Sequence, residues 1–220
     1  MSASSPAPTT VRWVSDSIGW DAIDGALRQL YGAAEPFHVG TRHPWALGGR
    51  DPLDGISIFA RPEPIPHWHY ISYGMSELYH KESSDPEVSG WGFEFTFRLV
   101  RRPDDAEPPI WAASLLQNLG RYVFDSGKWF EPGHTMKASG PIATDHADCA
   151  IRALTFTIDP ELGAIGTPNG SVTFLQVVGL TLEEYAAAKG GAAPALLERL
   201  SPRLPLYVTD IDRGSLISPQ

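Results

Sequence analysis

The chain has 220 residues and a formal net charge of −9, from 17 Lys and Arg against 26 Asp and Glu. Its 42% hydrophobic and 20% charged content excludes a collagen-like or coiled-coil chain and argues against wholesale disorder. An acidic surface repels phosphate backbones, so nucleic-acid binding has no electrostatic support, and a single cysteine, Cys149, excludes an intrachain disulfide. A chain of this length can bury roughly 70% of its unfolded surface and needs no disulfides or metal to hold a core.

Residues 1–14, rich in Ser, Pro, Ala and Thr, read as a disordered lead-in to a single domain over 15–216. They lack the basic-then-apolar pattern of a secretory signal, and no run of 18 apolar residues occurs anywhere. The expectation is a cytoplasmic protein with no membrane partner. The final SLISPQ reads as a short tail.

In chain order, residues 18–31 place Trp20, Ile23, Leu27, Leu30 and Tyr31 on one helical stripe, with Gly32 as the stop. Residues 55–60 and 68–74 read as short strands. Residues 91–100 alternate strictly: Trp91, Phe93, Phe95, Phe97 and Leu99 share one face, and Gly92, Glu94, Thr96, Arg98 and Val100 the other. That pattern predicts a strand with an aromatic face under a helix and an opposite face at least partly wet. The helix is supplied by 110–124, with Pro109 at its start and a stripe of Trp111, Leu115, Leu119 and Tyr122 or Val123.

Residues 153–158 alternate again. Thr167-Pro168-Asn169-Gly170 has the chemistry of a tight turn, and it leads into Val172–Val178, apolar on both faces as a central strand is. Thr181-Leu182-Glu183-Glu184 forms a capping box, residues 194–200 a short helix, and 206–209 a closing strand. Consecutive strands without intervening helices argue against a doubly wound parallel sheet. The fold class expected is α+β, with a mixed, largely antiparallel sheet flanked by helices.

Several clusters invite chemistry. His67 and His69 share a strand face and could reach one metal, with His80, Glu77, Asp51 or Asp54 completing the set; the plainer reading is two imidazoles flanking a buried tryptophan. Asp51-Pro52-Leu53-Asp54 and Asp210-Ile211-Asp212 read as cation ligands or, more simply, as turns bonded to their own backbone. Cys149 would need His134 or His146 as a base, and its acidic surroundings oppose a thiolate. No Gly-x-Ser-x-Gly, Gly-x-Gly-x-x-Gly or Walker loop occurs. A chain with many aromatic strands and no convergent polar cluster is more naturally a binding module than an enzyme, and no cofactor is expected.

Taken together, His67–Tyr79, Gly90–Leu99, the Trp111 helix ending in Arg121-Tyr122-Val123-Phe124, Thr167–Gln176 and Val208-Thr209-Asp210, with Asp51–Asp54, keep one order over roughly residues 17–215. In these blocks the chain resembles the Suppressor of fused domain family. The resemblance implies an α/β sandwich and a protein-binding role without catalysis. In animals the family restrains Gli transcription factors and clamps a short Gli peptide as an added strand between two domains. It also implies that this chain is a bacterial-type, single-domain member that stops where a second domain would begin. Bacterial relatives resemble immunity proteins that neutralise a toxin. Tyr122 matches a cleft tyrosine, and His134 stands where the family carries an acidic residue against the peptide. The partner-binding residues expected are therefore Tyr122, Phe130 and His134, facing a protein partner that the −9 charge suggests is basic.

Overall fold

The computed structural model describes residues 17–217; the tail expected over 1–14 lies outside them. Helix α1 (Ile18–Tyr31) leads to strand β1 (Phe37–Gly40), a short 3-10 turn (Trp45–Leu47), and strands β2 (Gly55–Arg61), β3 (His67–Tyr73) and β4 (Val88–Val100). Helix α2 (Ile110–Ser126) is followed by β5 (Thr135–Lys137), β6 (Ala153–Ile158), β7 (Ala164–Thr167) and β8 (Gly170–Leu180). Helices α3 (Leu182–Ala188) and α4 (Ala193–Leu200) close the chain with a 3-10 turn at Pro205–Tyr207.

The strands form one sheet in the order β1-β2-β3-β4-β8-β6-β5, with β7 also on β8. Every ladder is antiparallel except β4 with β8. The α+β class and the mixed, largely antiparallel sheet are as the sequence predicts. β6 and β7 lie end to end on the same edge of β8, because β6 pairs with Leu175–Leu180 and β7 with Gly170–Thr173. Between them the chain must leave the sheet edge, and Asp159–Gly163 does so.

The aromatic stripe of β4 packs under α2: Phe93, Phe95, Phe97 and Leu99 share a core with Trp68, Tyr70, Trp111, Leu116, Leu119, Val123 and Phe156. Phe97 meets Trp111 edge-on at 6.2 Å. The inward helix position is Leu116, whereas Leu115 is only half-buried. Helix α1 covers the opposite sheet face with Ile23 and Leu27 against Phe59, Ile71, Tyr73 and Phe174. A third cluster seats α3 and α4 against Ala153 and Leu180.

Three expectations need correction. The far face of β4 is dry: Glu94, Thr96 and Arg98 are fully buried, because Asp159 of the 159–163 excursion lies against Thr96 and Arg98 and the Ser72–Ser76 segment closes on Glu94. Residues 206–209 are not a strand. Leu206 and Tyr207 have positive φ in the 3-10 turn, and only Thr209 pairs, with the end of β4 that β8 leaves open (Val100 N–H to Thr209 O, 2.9 Å; Thr209 N–H to Arg98 O, 2.8 Å). The expected C-terminal tail docks as far as Ile217, where the Leu216 N–H donates to Glu184 Oε1 at 2.9 Å.

Local signals that held have visible causes. Gly32 ends α1 at φ 62°, its N–H reaching Arg28 O. Thr181 and Glu184 make the full capping box. Thr167 and Gly170 close the β7–β8 hairpin, and a Cβ on Gly170 would sit 2.7 Å from the backbone of Val88.

Candidate functional site

Helix α2 ends at Ser126, where Gly127 takes the left-handed conformation (φ 68°) and donates its N–H to Val123 O. This stop leaves Tyr122 on the outer side of the last turn, 40% exposed, so it is not a core residue. The chain then turns back along the sheet end. Phe130 tucks under Tyr122 with ring centroids 5.5 Å apart, and stacks on Phe156 of β6 at 4.1 Å with planes 18° apart. Tyr122 thus forms the exposed layer of an aromatic stack rooted in the core.

The next turn is held by backbone bonds. The His134 N–H donates to Glu131 O, the Gly133 N–H to Phe156 O at 2.7 Å, and His134 O accepts from the Phe156 N–H and the Thr155 hydroxyl. His134 is half exposed. Its Nδ1 accepts from the Glu131 N–H at 3.2 Å, which leaves the neutral ring's proton on Nε2, 3.7 Å from Glu131 Oε2. β5 follows directly and pairs only with β6; among the described residues no strand occupies its other edge.

The structure therefore brings Tyr122 and Phe130 into contact and sets His134 at the mouth of an edge strand. Sequence reasoning missed Trp129, 54% exposed, its Nε1 donating to Glu131 Oε1 at 3.1 Å. An aromatic pair straight after a helix-stopping glycine was the available signal.

His67 and His69 belong to a different place. They point to the α1 side of the sheet, away from Asp51 and Asp54. Asp51 accepts from Arg121 of α2, and Asp54 accepts from the exposed Tyr79 hydroxyl at 3.2 Å. Gln117 clamps the backbone of Leu53 between those two aspartates, with bonds of 2.9 and 3.0 Å. The motif is a clip between α2 and the sheet.

The two imidazoles enter a buried polar network. Arg98 donates through Nη2 to both oxygens of Asp159 (3.0 and 3.1 Å) and through Nη1 to Glu161 Oε2 (2.9 Å) and His67 Nε2 (3.1 Å). Since the guanidinium can only donate, His67 accepts at Nε2 and donates from Nδ1 to Ile65 O at 2.7 Å. His69 Nε2 lies 3.1 Å from Asp159 Oδ2, with the ring N–H poorly aligned, and its Nδ1 accepts from the Tyr31 hydroxyl at 2.5 Å. Thr96 adds a hydroxyl to Asp159 at 2.9 Å, and the N–H groups of Glu161 and Leu162 add two more donors.

Both histidines are neutral at pH 7. Burial, with the Arg98 charge adding in the same direction, lowers each to a pKa of about 4. Burial alone would raise the Asp159 carboxyl; its contacts with His69 and Arg98 outweigh that and hold it well below the usual carboxylate range. Further along β4, Glu94 is fully buried and accepts from the Ser72 and Ser76 hydroxyls (2.5 and 2.6 Å) and from the Gly74 and Ser76 N–H groups (2.9 Å each). Burial raises its pKa, and those four donors oppose the rise. Among the described residues no group of three or more His, Cys, Asp or Glu is placed to hold a metal ion.

Cys149 is buried, its thiol directed to Ile151 O at 3.7 Å; His146 is bonded to Asp145, and His134 to Glu131. The Cys–His pair is not assembled. Asp210 and Asp212 form the expected turn, the Asp212 N–H donating to Asp210 Oδ1 at 3.0 Å. Among the described residues no helix is long and apolar enough to cross a membrane.

A mixed, largely antiparallel sheet flanked by helices is the architecture of a Suppressor of fused-type domain. The family model described as Suppressor of fused protein (SUFU) matches residues 49–214, and the chain belongs to that family. It is 39% identical over 214 residues to the Suppressor of fused homologs of Homo sapiens and Mus musculus, covering 90% of this chain and 44% of each of them. It thus spans less than half their length. Among solved structures it is similar to the Sufu–Fu complex crystal structure (TM-score 0.82, 33% identity, covering 90% of this chain and 92% of that one). It is equally similar to Drosophila Suppressor of Fused (TM-score 0.82, 32% identity, 90% and 51%).

Proposed function

We propose that this chain is a non-enzymatic protein-binding module that docks its partner on the surface formed by Tyr122, His134 and the open edge of β5, with Phe130, which is buried, supporting Tyr122 from below rather than meeting the partner. The observation that carries this reading is the core-anchored Tyr122–Phe130–Phe156 stack beside an unpaired strand. An extended segment added to β5 would gain backbone hydrogen bonds from the edge, and its side chains would lie against Tyr122 and Trp129. A rigid aromatic anchored from below loses little entropy on binding, which is why such residues dominate interface energetics. Support also comes from the relative whose structure is a complex with a second protein, Fu.

His134 replaces the acidic residue that the family resemblance leads one to expect, but Glu131 lies on the same turn and offers a carboxylate. A partner with a basic or histidine-bearing segment suits that turn and the −9 net charge. The biological use proposed is neutralisation or regulation of a cognate protein in the cytoplasm, of the immunity-protein kind in a bacterium, carried by a single domain over residues 15–216.

The test is a pull-down from the host with tagged protein, in parallel with a Tyr122→Ala, His134→Ala double variant. Both side chains are at the surface, so the variant should fold. One stoichiometric partner, lost in the variant, is the expected result. A partner retained at full yield removes the site from this surface, and recovery of no protein partner overturns the binding-module reading.

A further inference from the structure

A second concavity lies at the other end of the sheet, between β1, the 41–51 loop and the outer side of α2. Its volume is about 700 Å³, within the range of small-molecule sites. Two features set it apart from the rest of this acidic chain.

The first is charge. Arg42, His43, Arg50 and Arg121 line the cleft, against one carboxylate, Asp51. That carboxylate is already taken up by Arg121. Among the described residues neither Arg42 nor Arg50 enters an ion pair, a state they share with Arg28, Arg101, Arg152, Arg199 and Arg203, but these two stand together in one concavity. A chain with nine excess negative charges here holds uncompensated positive charge.

The second is apolar exposure. Leu47 and Ile110 are the two most exposed large hydrophobic residues among those described, at 82% and 62%, and both line this cleft. Exposed leucine is common singly, but two side chains converging on one concavity mark a contact surface.

The loop that carries these groups is built rather than slack. Arg42 and His43 stand on its outgoing arm and Arg50 on its return, and a bridge between Pro44 and Asp51 ties the arms together. The Gly49 N–H donates to Pro44 O at 3.0 Å, and a Cβ on Gly49 would fall 1.7 Å from His43 O, so only glycine allows this approach. The Thr41 N–H donates to Asp54 O at the base. The backbone that carries the cations is thereby held in place before any ligand arrives, which lowers the entropy lost on binding.

We propose that this cleft binds an amphipathic organic anion, a phosphate or carboxylate head carried on an apolar body. Arg42 and Arg50, with His43, receive the head through charge-assisted hydrogen bonds. Leu47 and Ile110 cover the body. This site is separate from the Tyr122 surface and does not depend on the function proposed for it.

The test is titration calorimetry of decyl phosphate, below its micelle concentration, into the full chain. One saturable site is expected. An Arg42→Ala, Arg50→Ala double variant should weaken binding at least tenfold, equivalent to about 1.4 kcal/mol. Leu47→Ser should weaken it severalfold, and inorganic phosphate alone should bind more weakly than decyl phosphate. Arg199→Ala, an exposed arginine on α4, serves as the charge control. All four arginine and leucine positions are exposed, so unchanged melting curves verify folding. Sedimentation with phosphatidylglycerol vesicles, compared with phosphatidylcholine, distinguishes the source. Arginine-dependent sedimentation would assign the head to a lipid, and decyl phosphate binding without it would assign a soluble anion. No saturable binding, no loss in the double arginine variant, or an equal loss in the Arg199 control would overturn the proposal.

Discussion

Replacing Arg98 with methionine removes the centre of the buried polar network while keeping most of the side-chain volume. The guanidinium makes four contacts of 2.9–3.1 Å to Asp159, Glu161 and His67, and neither Arg98 nor Asp159 is reached by solvent. Removing one partner of a buried ion pair costs about 3–5 kcal/mol, because the other charge stays buried without compensation. Here Asp159 would keep the Thr96 hydroxyl and the N–H groups of Glu161 and Leu162, so the lower end, about 3 kcal/mol, is expected. For a chain of this size that lowers the melting temperature by roughly 6–12 °C. Circular dichroism melting and urea titration at pH 7 would measure it. Adding Asp159→Asn to Arg98→Met should recover part of the loss, with a coupling energy of at least about 1 kcal/mol. A loss below about 1 kcal/mol, or strictly additive single variants, would refute the view that this network holds the Asp159–Gly163 excursion on the sheet.

Acidification should weaken the fold in a defined window. His67 and His69 have a pKa of about 4 when folded against 6.5 when unfolded. As pH falls from 6.5 toward 4 the unfolded chain takes up protons that the folded chain refuses. Their contribution is therefore complete above pH 6.5 and lost across that window, on the order of 2 kcal/mol per histidine by pH 4.5. The raised pKa of Glu94 acts in the opposite sense. His69→Gln should flatten the slope, and a stability constant from pH 7 to 4.5 would contradict the burial of both rings. Separately, Gln117→Ala removes two hydrogen bonds to the Leu53 backbone and should cost about 1–2 kcal/mol, read by urea denaturation; an unchanged midpoint would show that the Asp51–Asp54 clip is held by packing alone.

Much of the scaffold was legible locally. The aromatic alternation of β4, the α2 stripe beneath it, the Thr181 capping box and the Thr167–Gly170 turn each depend on residues within a few positions of one another. Tyr122, Phe130 and His134 were reached through family resemblance, and their spacing alone says nothing of a stack. Phe156, the floor of that stack, is 26 positions from Phe130 and arrives by sheet pairing. The alternation misled at Glu94, Thr96 and Arg98, since polar residues at period two signal water unless a partner covers them. Thr96 and Arg98 are covered by Asp159, more than 60 positions away, and Glu94 by the Ser72–Ser76 segment, about 20 positions away on the neighbouring strand and its loop.

Side-chain periodicity and capping chemistry are short-range, so the sequence by itself determined the four helices and strands β2, β3, β4, β6 and β8, whereas β1, β5 and β7, three or four residues each, are too short to show a period and residues 206–209 are a turn despite their strand-like composition. The tertiary structure decided what the polar residues do. Whether His67 and His69 are ligands or structural groups depends on what occupies the space above them, and β6 and β7 sharing one edge of β8 drives Asp159 into that space. The same long-range placement leaves the β5 edge unpaired and leaves Arg42 and Arg50 without carboxylates, because no local rule says which charges and which strand edges the rest of the chain will cover.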